Sequence, residues 1–135
     1  YEKYEYKVGC PPSGPLACLL FCMPTAPASQ PKTVIISHAI AVLSALCAVA
    51  VHDFIPVLDV PKPVVGLVLS ILAMKLAKAI NPPAAAYAAA LSGSGTTFGA
   101  VLTGPGTLGA VVLIVVQQVY FKITDTISGT KAKKA

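Results

Sequence analysis

From Thr33 to Val51 the chain reads TVIISHAIAVLSALCAVAV, a run without one Asp, Glu, Lys or Arg. At about 1.5 Å per residue a helix of this length nearly crosses a hydrocarbon core of roughly 30 Å, so the stretch can span a membrane alone. A second window, Pro63 to Ile80, PVVGLVLSILAMKLAKAI, also reaches spanning length. Lys75 and Lys78 lie near its far end, where long side chains snorkel to the headgroups. A third, Thr107 to Phe121, TLGAVVLIVVQQVYF, is short by itself. Gly104, Pro105 and Gly106 can lengthen its buried part, and Tyr120 and Phe121 close it at the depth of an aromatic belt. With 56% hydrophobic and only 11% charged residues, the composition is far from that of a soluble domain. The expected fold class is an all-α membrane protein.

The segment before Thr33 is less regular. Leu16 to Met23, LACLLFCM, is apolar but half a membrane long, and Pro11, Pro12, Gly14 and Pro15 precede or open it. It reads as a broken first span, tolerated where protein or water covers the freed backbone groups. Residues 1–9, YEKYEYKVG, form a surface arm, and MPTAPASQPK, with three prolines, is a turn or loop. HDFIPVLDVPK is a second loop, carrying Asp53, Asp59 and Lys62. The transmembrane domain is placed at residues 10–123. Residues 124–135 are a basic tail, expected to be disordered and solvated at the membrane surface. Lys131, Lys133 and Lys134 give it much of the net charge of +5, but no interleaved aromatics or recognition motif points to nucleic acid. Cys10, Cys18, Cys22 and Cys47 contain no C-x-x-C pair and read as small apolar packing residues, with no metal site expected.

The sequence INPPAAAYAAA sets two adjacent prolines inside an apolar region. Proline is tolerated in the first turn of a helix, where its missing N–H had no partner, and Asn81 is a good N-cap for a helix opening on Pro82 and Pro83. Ala84 to Leu91 continue it with small side chains that permit close helix packing. An uncharged, glycine-rich connection, SGSGTTFGAVLTGPG, follows. Two readings stand: exposed amides at the helix start that favour an anion, or a simple hairpin between packed helices.

Two stretches match a family pattern. SQPKTVIISH, Ser29 to His38, resembles a "QPRN…GGH" signature, and MKLAKAINPPAAA, Met74 to Ala86, resembles the "M…TR…HPPAGA" signature of the HPP family of integral membrane proteins. The resemblance covers Gly14 to Ile123 and implies a bundle of about four transmembrane helices with a broken helix at Asn81-Pro82-Pro83. Some plastid and cyanobacterial members are implicated in nitrite movement, so it also implies a small-anion permease. The path would be lined by Gln30, Pro31, Lys32, His38, Lys75, Lys78, Asn81, Pro82 and Pro83. This chain departs from the pattern: Asn81 replaces the histidine, Lys32 and Lys78 the arginines, Ile36 and Ser37 the glycine pair, and Ala85 a later glycine. Lysine keeps the charge but loses the planar fork that grips an oxyanion, asparagine does not titrate, and Ile36 adds bulk where close approach needs glycine.

His38, inside a span, is a functional candidate, a helix-to-helix hydrogen bond or an axial ligand of chlorophyll magnesium. His52 beside Asp53 is an interface residue or a second pigment ligand. Gln117, Gln118, Ser44, Ser70 and Thr107 can bond between helices. Nothing resembles a nucleophile with its base or a phosphate loop, so an enzyme is not expected. Lys32, His38, Lys75, Lys78 and Asn81 are expected near one membrane face. The basic tail and the Lys62 loop are expected at the other, which the positive-inside rule assigns to cytoplasm or stroma.

Two functions follow. One is an accessory subunit of a photosynthetic membrane complex, embedded in the lipid bilayer against other membrane-protein subunits and touching chlorophyll, carotenoid or lipid. The other is a nitrite-type permease. The altered motif, the small size and the tyrosine-rich arm favour the subunit. A plastid membrane, thylakoid or inner envelope, is implied by the resemblance, and the opening on Tyr1 in place of Met is read as a chain either processed, with a targeting peptide removed, or incomplete.

Overall fold

The computed structural model describes residues 13–54, 60–94 and 105–132, with side chains in the last stretch for 106–127. The surface arm, Cys10, Asp59, most of the glycine-rich connection and the lysines at 133 and 134 lie outside the described residues. The elements are α1 (Ser13–Cys22), a 3₁₀ turn (Pro27–Ser29), α2 (Pro31–Phe54), α3 (Lys62–Leu76), α4 (Pro82–Gly93) and α5 (Pro105–Ala132), with no strand among the described residues. Each of the four later helices opens on or beside a proline, whose fixed φ suits a first turn and whose missing N–H costs nothing there.

α2 and the Gly106–Ile127 stretch of α5 are long and apolar enough to cross a membrane, at 24 and 22 residues or about 36 and 33 Å. α3 and α4 are shorter, about 22 and 18 Å, and form an antiparallel hairpin against α2. Glycine sets the closeness of that hairpin: a Cβ on Gly66 would lie 2.5 Å from Ser92 Oγ, and one on Gly93 would lie 2.9 Å from Pro63 Cγ. Ala41, Val42, Met74, Ala84, Ala85, Tyr87 and Ala88 are the core of these three helices. A second core, Leu16, Leu20, Val34, Ala110 and Ile114, joins α1 and α5 to the first half of α2.

Polarity is inverted relative to a water-soluble domain. Ser29, Ser37, His38, Ser44, Ser70, Asn81, Ser92 and Gln117 are buried, while Val111, Val112, Val115, Val116 and Val119 of α5 and Val64, Val68, Ile71 and Leu72 of α3 are exposed. Apolar surface on that scale belongs against hydrocarbon, and the interior is held by small-residue contacts and short hydrogen bonds.

Three expectations are corrected. The second window stops at Leu76, because α3 ends in a Schellman turn in which Ala79 N–H reaches Met74 O and Lys78 N–H reaches Lys75 O. Lys78 holds the left-handed position of that turn, with φ 53°. The third window does not stop at Phe121, and residues 124–132 are helical, not disordered. No proline or glycine interrupts Ala110 to Ser128, and Thr124 and Thr126 return their hydroxyls to carbonyls four residues back.

The third correction concerns sidedness. Tyr87 bonds Thr107 at the start of α5, and Gln117 Nε2 donates to Leu20 O at 2.8 Å near the end of α1, so α5 runs antiparallel to α2. The chain after Phe121 therefore emerges at the end that carries Lys32, Lys75 and Lys78, not at the Lys62 end. The reason is α4, which returns the chain toward the Lys62 end before α5 begins.

Candidate functional site

Asn81 sits at the joint between α3 and α4, fully buried. Its Oδ1 accepts from Ala84 N–H at 3.2 Å, which caps α4, and its Nδ2 donates to Ala28 O at 3.0 Å, which ties the joint to the turn before α2. Pro82 and Pro83 have no N–H, and Ala85 N–H reaches Asn81 O at 3.2 Å. All the amides of the first turn of α4 are therefore absent or used. The break is where the sequence places it, but it offers no free donor to an anion.

The cations of the expected path share an end without entering the bundle. Lys32, Lys75 and Lys78 are all exposed. Gln30 is exposed as well and donates to Pro24 O at 3.2 Å, while Pro31 opens α2 and Pro83, unlike exposed Pro82, is buried against the bundle. His52 lies at the opposite end, 3.9 Å from Asp53, which Lys62 also approaches at 3.1 Å. About 21 Å of helix separates it from His38, so the two histidines do not form one site. Cys18, Cys22 and Cys47 are free, and no cluster of three metal-ligating side chains exists among the described residues.

His38 is buried, as Asn81 and Pro83 are, but it stands about two turns into α2. It is 6% exposed, and its Nδ1 lies 2.8 Å from Val34 O. A carbonyl only accepts, so Nδ1 carries the proton and Nε2 the lone pair. The ring lies 5.9 Å from that of Tyr87, whose hydroxyl shares a 3.1 Å hydrogen bond with Thr107 Oγ1. His38 and Thr107 line a groove of about 370 Å³ between α2 and α5 whose other walls are aliphatic. Tyr87 was not singled out from sequence. As the one bulky polar residue in an alanine-rich helix, four residues after Pro83, it carried a signal, but its partner Thr107 stands on another helix.

Gln117 bonds between helices as expected of it, while its buried Oε1 meets no hydrogen-bond partner among the described residues. Ser70 instead returns its hydroxyl to Leu67 O on its own helix. A comparison with family profiles matches residues 2–128 to the one described as HPP, transmembrane region. No curated protein and no solved structure matches the chain.

Proposed function

This chain belongs to the HPP transmembrane family, and from that premise we propose that it serves as an accessory, structural subunit of a larger complex in the lipid bilayer, not as an anion permease. The observation that carries this reading is the closed start of α4. An anion in a low-dielectric interior needs donors. Here the prolines supply none, the next two amides are bonded to Asn81, and the hydroxyls of Ser37, Ser70 and Ser92 are turned onto carbonyls of their own helices.

The outer surface supports the same role. α3 and α5 present continuous aliphatic faces, and only 22% of the most apolar stretch of α5 is buried within the bundle. Such a face suits protein or lipid neighbours. A photosynthetic membrane of a plastid is the setting we assign to it, with chlorophyll, carotenoid or lipid at its surface.

The permease reading keeps one observation, the shared end of Lys32, Lys75 and Lys78, and the test separates the two. Ala86 is exposed on α4. In source membranes Ala86→Trp should strip the chain from its complex while Lys78→Ala leaves it assembled. If Lys78→Ala instead abolishes nitrite uptake in liposomes containing wild-type-like amounts of protein, the subunit reading fails.

A further inference from the structure

We propose that the groove between α2 and α5 binds a lipid-soluble phenol or alcohol, whose hydroxyl donates to Nε2 of His38. This inference does not depend on the subunit reading. Ile35, Ala39, Val42, Leu43 and Ile114 make the walls aliphatic, so the body of the occupant is apolar. The volume of about 370 Å³ falls in the range of small-molecule sites and suits a ring or a branched head. Ile35 and Leu43 at the rim are 57% and 62% exposed, which opens the groove to the bilayer, the phase from which an apolar ligand arrives.

The polar requirement comes from His38. With Nδ1–H committed to Val34 O, Nε2 is an acceptor, and it makes no hydrogen bond to any described residue. An acceptor without a partner is costly where water is scarce. His38 stands seven residues into α2, about 10 Å along the helix from its start. Phospholipid acyl chains carry no donor. The occupant therefore brings its own O–H on an otherwise apolar skeleton.

The test uses the full chain in lipid nanodiscs with isotope-labelled histidine, titrated with para-heptylphenol and with its methyl ether, which cannot donate. The phenol should bind saturably, shift the His38 ring resonances and bind roughly fivefold to tenfold more tightly than the ether. His38→Phe should erase the difference between the two probes. Leu43→Trp, at the exposed rim where folding is not at stake, should block both probes while leaving the His38 ring signals of the free protein in place. Equal binding of phenol and ether, a preference that survives His38→Phe, or non-saturable partitioning would each overturn the proposal. So would a co-purifying pigment lost in His38→Phe, because Nε2 would then serve a metal and not a hydroxyl.

Discussion

If Asn81 is a joint and not an anion seat, its two hydrogen bonds can be removed one at a time. Asn81→Ser retains a cap for Ala84 N–H but cannot reach Ala28 O, and Asn81→Ala removes both. The cap contributes about 1 kcal/mol. The part-buried bond to Ala28 O contributes about another 1 kcal/mol. The expected order of stability is wild type, Asn81→Ser lower by about 1 kcal/mol, and Asn81→Ala lower by about 2 kcal/mol. The assay is reversible unfolding of the purified chain from mild to denaturing micelles, followed by helix circular dichroism. Nitrite, at any concentration tolerated by the micelles, should leave the wild-type midpoint unmoved, since a ligand that binds the folded state raises it by mass action. An Asn81→Ala midpoint equal to that of wild type, or a nitrite-dependent rise that Asn81→Ala removes, would refute the reasoning.

Other outcomes follow from the same geometry. Gly66→Ala should destabilise the α3–α4 hairpin by about 1–3 kcal/mol, and adding Ser92→Gly should restore most of it by removing both Ser92 contacts, as micelle unfolding would show. Lys78→Gly should stabilise the fold by about 1 kcal/mol, because φ 53° suits glycine, whereas Lys78→Ala should give no such gain. In a background with every cysteine replaced by serine, Lys32→Cys and Thr126→Cys should be labelled by an impermeant maleimide from one side of sealed vesicles and Asp53→Cys from the other. The Lys32 and Thr126 side should be the cytoplasmic or stromal one, since Lys32, Lys75, Lys78 and Lys122 gather there while Asp53 and Lys62 pair at the far end.

Features set by neighbours in sequence were legible before the fold was known. The apolar windows marked α2, α3 and α5, and Asn81-Pro82-Pro83 marked the start of α4, because span length and capping are local properties. The end of α3 was misplaced because its stop is a Schellman turn on a lysine, where glycine is the usual signal. Helix α5 outran its window because loss of hydropathy is not loss of helix. The side on which the tail emerges depended on α4, a helix of 12 residues too short to count as a span on its own. The pairing of His38 with Tyr87 and Thr107 is tertiary, and no spacing rule within one helix announces it.

The most direct measurement is native electrophoresis of gently solubilised source membranes, probed for this chain, with an absorption spectrum of the band that carries it. The subunit account predicts co-migration with a complex far larger than the 13.8 kDa chain, retained in Lys78→Ala and lost in Ala86→Trp. Migration as a colourless small oligomer, with nitrite uptake once that oligomer is placed in liposomes, would contradict it.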